Sequence, residues 1–563
     1  MPNETLPQPR ARVDSDCCYM LTLRGKREHD SSCVMTRILL TTLNARYTHA
    51  AFGLRYLLAN MGELEPTTTL REFTIHERPA DIVESILAYE PQIVGIGIYI
   101  WNVAPATRVV QLLKAIRPDI AVVLGGPEVS YEWEEQTICH AADWVIAGEA
   151  DLAFAQLCRQ IRDGNPPAEK VLRPPPPRIE SLSLPYHLYT DEDVSQRVVY
   201  VEASRGCPYT CEFCLSSLDQ KVRQVPLPRF FAAMEALIER GVKHFKFIDR
   251  TFNLSLKTSR AVLEFFWERY QSGMFLHFEM IPDRLPSGLR EIIARFPPGA
   301  LQFEVGLQTF NPEVAARIAR RHDVDKTRAN FAFLRQSTGV HIHADLIAGL
   351  PGETLESFAE GFDQLVALAP DEIQLGILKR LRGTPISRHT NTFSMVYSPE
   401  APFEILQNDR LGFATIQKLK RMARYWDLVV NSGRFLRTAR LLWQDASAFW
   451  CFWAFSEWLY ATTSQTHRIA VYRLAELIFT YLTEVRRPGV PPLRAARALA
   501  EDLQSSDPRA LPRPVRDVLP AAERQALTRV KSPEQLPSDI RQLPPRQRRH
   551  VQRRNADAPA SLP

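Results

Sequence analysis

Three largely apolar runs, at 38–43, 93–100 and 120–124, are short and are separated by segments of helical periodicity. A strand that is apolar on both faces must be covered on both faces, which happens in parallel sheets sandwiched between helices. A weaker run at 69–75 and a short one at 144–147 extend the series, with helical patterns at 50–61, 80–89, 106–116 and 151–161. Five strand–helix units predict an α/β, doubly wound, flavodoxin-like (Rossmann-like) domain over 35–164. Such sheets bind ligands at the carboxyl ends of their strands, so the candidate ligand loops are 44–49, 101–102, 125–128 and 148–149.

Asn165-Pro166-Pro167 and the proline run at 174–177 then predict a stiff, Pro-rich linker over 165–196 that separates domains rather than building a core. A second alternating series follows over 197–388, with strand-like runs at 198–203, 244–248, 275–280, 301–306, 341–347 and 372–378. Helical segments such as 230–240, 259–270 and 355–368 lie between them, which suits a partial (β/α)6 barrel. After Pro385 only helical patterns continue, predicting a helical C-terminal domain over 389–515 and a disordered basic tail over 516–563. Residues 1–34 mix Arg10, Arg12, Arg24, Lys26 and Arg27 with Glu4, Asp14, Asp16, Glu28 and Asp30 and hold no apolar stretch. They read as a disordered extension, or as sequence upstream of a true start at Met35, and not as a secretory signal. The longest aromatic-apolar run spans eight residues, 448–455. A membrane span needs roughly 20, so a cytoplasmic protein without membrane contact is expected.

Nine cysteines in 563 residues are too sparse for a disulfide scaffold. Three of them form Cys207-Pro-Tyr-Thr-Cys211-Glu-Phe-Cys214, just beyond the first strand of the second series. Three thiolates on one tight loop can hold three irons of a 4Fe–4S cluster and leave the fourth iron open to a substrate or cofactor. The competing readings are a zinc site completed by histidine and three unrelated core cysteines. Zinc sites favour paired Cys-x-x-Cys knuckles, and no second knuckle is present.

This motif, placed after the first strand of an α/β part-barrel, resembles the radical S-adenosylmethionine (SAM) superfamily over about 197–388. The resemblance implies that Cys207, Cys211 and Cys214 ligate the cluster and that the open iron binds the amino and carboxylate groups of SAM. One electron, from a donor such as flavodoxin or ferredoxin, then cleaves the sulfonium to a 5′-deoxyadenosyl radical that abstracts hydrogen. It implies further that backbone near Phe213 meets adenine. The family's glycine-rich acidic stretch is replaced here by Phe247-Ile-Asp249-Arg250, where Asp249 could take the SAM amine and Arg250 a carboxylate. Glu304 and Gln308 look like ribose partners, and Gly349 and Gly352 would let backbone approach adenine. Period-2 geometry puts His341, His343 and Asp345 on one strand face. His343 and Asp345 are therefore candidates for handling substrate protons, the alternative being a satisfied buried pair.

A flavodoxin-like domain joined to such a barrel resembles the cobalamin (vitamin B12)-binding branch of the superfamily. Gly125-Gly126-Pro127-Glu128, Gly148-Glu149 and Trp101-Asn102 match its cofactor loops. The Asp-x-His-x-x-Gly loop that ligates cobalt in some cobalamin proteins is absent, so ligation by His49 is not expected. Lys379-Arg-Leu-Arg-Gly-Thr-Pro385 and Asn431-Ser-Gly-Arg-Phe435 resemble a subgroup with an uncharacterised helical C-terminal domain. The expected activity is methyl transfer to an unactivated carbon of an unidentified, small-molecule substrate, with oxidative cyclisation as an alternative within the same machinery. A methylthiotransferase acting on transfer RNA would need further cluster cysteines in the first domain, where only Cys139 and Cys158 occur. A nucleic-acid-binding protein with a structural metal cluster is the alternative of a different kind. Its support is the run Arg541, Arg546, Arg548, Arg549, Arg553 and Arg554, which exceeds the whole net charge of +5. No aromatic side chains interleave it to stack on bases, so nucleic acid is disfavoured.

Overall fold

The computed structural model describes residues 36–444, 446–504, 511–527 and 538–557; the extension expected over 1–34 lies outside them. Strands β1 (Ile38–Asn44), β2 (Thr68–Thr74), β3 (Ile93–Gly97), β4 (Ala121–Gly125), β5 (Trp144–Ile146) and β6 (Val171–Leu172) form the first sheet. All pairings are parallel and the order is β2-β1-β3-β4-β5-β6. Every residue of β1 and of β3 is buried, because helices cover both faces of the sheet.

The second sheet runs β7 (Val199–Val201), β8 (His244–Phe247), β9 (Phe275–Met280), β10 (Leu301–Gln308), β11 (His341–Ala348) and β12 (Glu372–Ile377). It is parallel throughout and follows chain order, the topology of an open part-barrel.

The proline-rich segment is more than the expected linker. It donates β6 to the first sheet, and it buries Ile179, Leu182, Tyr186 and Tyr189 in the barrel's core. The Tyr189 hydroxyl donates to the carbonyl of Tyr200 at 2.9 Å and accepts from its amide at 3.0 Å. Tyr186 does the same for Glu202, at 3.2 and 3.1 Å. Edge strand β7 thus has its free backbone groups satisfied by two tyrosines in place of another strand.

The carboxy-terminal region is helical over Phe413–Trp426, Ala448–Thr463, Val471–Thr480 and Pro492–Gln504, with a two-stranded ladder of Val396–Tyr397 and Ile405–Gln407 that periodicity did not indicate. Phe449, Phe452 and Phe455 of the aromatic run are core residues, while Trp450 is 42% exposed. No described helix is long and apolar enough to cross a membrane.

The tail departs furthest from expectation. Described residues within 516–563 include the helices Ala521–Leu527, Ser538–Gln542 and Pro545–Asp557. Arg546 pairs with Glu372 at 2.8 Å and with Asp427 at 2.5 Å, Gln547 donates to Gln302 at 2.8 Å, and Leu543 and Val551 pack on Phe275. Phe275, Gln302 and Glu372 stand at the starts of β9, β10 and β12, so this last helix caps the amino-terminal end of the barrel. Arg549 donates to the carbonyl of Ser432 at 2.6 Å. Sequence alone hid this, because the partners are a buried carboxylate, a half-buried one and a carbonyl, all more than a hundred residues away. Glu372 is 2% exposed, so Arg546→Ala is expected to destabilise the chain by about 2 kcal/mol. Denaturant unfolding of the full chain checks this.

Candidate active site

The cysteine loop leaves β7 through Gly206, whose φ is +92° and where a Cβ would lie 2.5 Å from the carbonyl oxygen of Lys221. The amide of Cys207 donates to the carbonyl of Asp219 at 2.8 Å, and that of Cys214 to Cys211 at 3.1 Å. Cys207 and Cys211 are 8% and 6% exposed; Cys214 is half-buried. Burial pushes the Cys207 and Cys211 thiols up, and the neighbouring cysteines push Cys207 the same way. Arg320, which the sequence reading missed, pulls Cys211 down, its Nη1 lying 3.8 Å from Sγ. Among the described residues no three His, Cys, Asp or Glu side chains converge on a single ion. An iron–sulfur cluster asks for something else: each thiolate meets its own iron, and the cationic irons supply what buried thiols need to stay ionised. The loop fits that demand.

Asp249 is 3% exposed and braces the start of this loop, accepting from the Ala203 amide at 3.0 Å and the Ser204 hydroxyl at 2.6 Å. Burial raises its carboxyl to about 7. Both oxygens are therefore engaged within the fold. Arg250 pairs with Glu279 at 2.9 Å. Phe213 packs against the barrel core. Glu304 faces His277 at 3.0 Å; burial pushes its carboxyl up, but the hydrogen bond and charge of His277 outweigh this and hold it at about 2. Gln308 has φ of +73°, beside a register irregularity in β10, and its amide reaches back over Gly306. Gly349 keeps its tight approach, but to the protein itself: a Cβ there would meet Ile405 at 2.6 Å.

His343 Nε2 and Asp345 Oδ1 lie 3.4 Å apart without hydrogen-bond geometry, and both are buried atoms with no other partner. Burial lowers His343, while burial and the charges of Glu304 and Glu279 raise Asp345 well above the carboxylate range. The pair is not the satisfied buried pair of the alternative reading. Both shifts favour the uncharged forms, and the Asp345 carboxyl faces Glu304, Glu279, Lys246 and Arg320.

Between the two sheets is a cavity of about 800 Å³. Gly125, Gly126, Gly148 and Trp101 line it from the first sheet; Gly206 and Ser216, at either side of the cysteines, line it from the barrel together with Arg250. Gly126 has φ of +106° and a Cβ there would strike the Ile98 carbonyl at 2.4 Å, whereas a Cβ on Gly148 would meet nothing within 4 Å. Trp101 is 45% exposed and stacks on Tyr99 at 4.5 Å. His49 also lines the cavity, with Nδ1 2.6 Å from the Tyr200 hydroxyl. Asn102 does not reach it: fully buried, its amide donates to Thr42, Leu43 and Gly97 at 3.0–3.2 Å and ties β1 to β3. Glu304, Gln308, His343 and Asp345 do not line it either.

The two acids expected at the cofactor loops bind protein. Glu128, 3% exposed, pairs with Arg382 at 2.9 Å and is not part of the cavity wall. Glu149 does line the cavity, and it pairs with Arg223 and with Arg205 at 3.1 Å. Arg205 also reaches Asp151 at 3.0 Å and Glu202 at 2.8 Å. Acids of the first domain and arginines of the barrel thus lock the cavity walls together. The sequence signal was present in Ser204-Arg205-Gly206-Cys207, an arginine immediately before the cysteine loop, but its partners are distant in the chain.

A doubly wound sheet and an open parallel barrel, sharing one cavity edged by three clustered cysteines, define a cofactor-dependent α/β enzyme class. Family models sharpen this: residues 38–158 match the B12 binding domain, 201–365 the Radical SAM superfamily, and 391–505 a protein of unknown function (DUF4080). The chain belongs to the radical SAM enzymes that carry a B12-binding domain, and its cofactors are a 4Fe–4S cluster, SAM and cobalamin. It is 26% identical over 346 residues to the uncharacterized methyltransferase PH0819 of Pyrococcus horikoshii, covering 55% of this chain and 71% of that protein. It is 23% identical to the tRNA-2-methylthio-N(6)-dimethylallyladenosine synthase of Acinetobacter baylyi, covering 51% of this chain and 62% of the synthase. The structure of the radical S-adenosylmethionine methyltransferase TsrM from Kitasatospora setae, with cobalamin and a [4Fe-4S] cluster bound, shares the fold. It has a TM-score of 0.51 at 18% identity and covers 65% of this chain and 76% of TsrM.

Proposed function

We propose that this chain is a cobalamin-dependent radical SAM methyltransferase that methylates a carbon of a small-molecule substrate. The observation that carries the proposal is the shared cavity, whose wall includes both the glycine loops of the first sheet and the flanks of the cysteine loop. Cys207, Cys211 and Cys214 would hold the cluster, and Gly125, Gly126, Gly148 and Trp101 would bound the corrin. Bound there, a reduced cluster supplies the electron that cleaves SAM, and methylcobalamin supplies the methyl group. Arg320 is the cation beside the cysteines, with a buried Nε that has no partner, and it would neutralise the carboxylate of SAM. Glu304 and Gln308 would orient the ribose. An external one-electron donor such as flavodoxin or ferredoxin would reduce the cluster. Stoichiometric corrinoid retained by the reconstituted full chain after desalting tests the reading; no retention would reduce the first domain to a scaffold.

His343 and Asp345 would manage the substrate's proton, Asp345 donating as a neutral acid and His343 accepting. Since the Asp345 carboxyl is raised, it ionises as pH climbs, and turnover should fall on the alkaline side. Asp345→Asn removes the proton donor, so it is expected to lower turnover at least about tenfold at pH 7 and to abolish the alkaline fall, read from pH–rate profiles.

Methylthio transfer is the second reading, favoured by the synthase relative. Against it, Cys139 and Cys158 are wholly buried, and burial pushes their thiols up to about 11 and about 12. Neither is a ready ligand for a second cluster.

A further inference from the structure

Glu212 stands between Cys211 and Cys214 in the chain, and it is 4% exposed. Its carboxylate accepts from His389 Nε2–H at 2.7 Å and from the Arg388 guanidinium. Its amide donates to the carbonyl of Ile318 at 3.0 Å, and its carbonyl accepts from the Ile386 amide at 3.0 Å. One residue of the cysteine loop is therefore gripped through backbone and side chain by two elements, the end of helix Pro312–Arg317 and the 3-10 turn Pro385–His389. A carboxylate is the wrong group to bury among three thiolates unless cations or donors are matched to it. Here they are, and both come from a segment beyond the barrel's last strand.

That segment is itself braced. The Phe393 amide donates to the His389 carbonyl at 3.0 Å, and the two rings lie 5.8 Å apart. The Arg317 guanidinium lies 4.8 Å over Phe393 and donates to the Pro351 carbonyl at 2.7 Å. Gly352, with φ of +77°, admits this stack, since a Cβ there would come 2.5 Å from Arg317 and 2.9 Å from Phe393. The turn after β11, the cysteine loop and the first residues of the DUF4080 match are thus one packed unit.

We infer that residues 385–393 are a buckle that fixes the cysteine loop, with Glu212 as the positioning residue on which it closes. This gives the start of the carboxy-terminal region a part in cluster assembly; that consequence rests on the cluster reading above, whereas the order of the loop does not. A loop that opens exposes Cys207 and Cys211, so the buckle is read in thiol chemistry before any iron is added.

The test is timed iodoacetamide alkylation of the reduced, metal-free full chain, followed cysteine by cysteine by mass spectrometry. In Glu212→Ala, Cys207 and Cys211 are expected to react at least about tenfold faster than in the native chain. Cys139 and Cys158, both 0% exposed, should stay protected. His389→Phe keeps a ring and removes the donor, and should reproduce the effect. Glu212→Gln keeps an oxygen acceptor and should restore part of the protection. After anaerobic loading, Glu212→Ala should hold less iron than the native chain. Unchanged reactivity of Cys207 and Cys211 in both Glu212→Ala and His389→Phe overturns the buckle, as does equal acceleration at Cys139 and Cys158. Selective acceleration in a protein whose native form takes up no iron would leave the buckle standing and sink the cluster reading.

Discussion

Cys211→Ala should give a folded chain that binds little iron after anaerobic reconstitution, shows no iron–sulfur absorption and cleaves no SAM. The reason is arithmetic of ligands. A cluster that keeps one iron open for SAM has three protein thiolates and none to spare, so losing one removes a third of its attachment. Cys211 is 6% exposed and accepts a hydrogen bond from Arg320, so nothing in the loop offers a replacement ligand. Cys207→Ala and Cys214→Ala should behave alike. Cys451→Ala, in helix Ala448–Thr463, should leave iron content unchanged. Iron and sulfide analysis of the four proteins separates a specific ligand set from a general dependence on thiols.

Arg205→Ala is expected to be the most destabilising single change away from the cysteines, at about 3–5 kcal/mol. Its side chain is 14% exposed and pairs with Glu149, Asp151 and Glu202 at 3.1, 3.0 and 2.8 Å, with its guanidinium 4.4 Å over the Tyr56 ring. Exposed pairs such as Arg78 with Asp81 are worth a fraction of this, because water solvates both ions once parted. Removing Arg205 instead strands acids at the wall between two domains, where burial already raises the Glu202 carboxyl. The sign follows from linkage. Without the arginine the Glu202 carboxyl lies further above its unfolded value, so folding takes up a proton there and stability falls as pH rises. The deficit should be small near pH 4 and full by pH 7, read as the fall in thermal midpoint across that range. Arg205 also stands two residues before Cys207 and lines the cavity, so corrinoid retention and iron content should fall together. A loss of one without the other would separate the two domains functionally.

Apart from β6, which lies in the proline-rich stretch, the strands of both sheets were legible as largely apolar or alternating runs, and the cysteine loop because its spacing is rare. Roles that depend on a partner far along the chain were not. Glu128 and Glu149 stand in loops that follow strands, as ligand residues do, yet their charges are answered by Arg382, Arg205 and Arg223. Tyr186 and Tyr189 lie in a proline-rich stretch that reads as linker, and only the bare edge of β7 explains them. Arg546 and Arg549 belong to a charge run that reads as solvated, while the acids and carbonyls that hold them lie at strand starts and helix ends. Glu212 was passed over as the variable position of a cysteine motif, since nothing local shows that His389 will meet it.

In the proposed function one chain uses SAM in two ways, at a cysteine loop and at a cobalamin cavity that share a wall. The most direct test is a single anaerobic reaction of the reconstituted full chain with SAM, hydroxocobalamin and a strong reductant, analysed for both adenosyl products by mass spectrometry. Methyl loss leaves S-adenosylhomocysteine and reductive cleavage leaves 5′-deoxyadenosine. Both should form in the native chain, 5′-deoxyadenosine should vanish in Cys211→Ala, and S-adenosylhomocysteine should require added cobalamin. Formation of 5′-deoxyadenosine in Cys211→Ala, or S-adenosylhomocysteine without cobalamin, would contradict it.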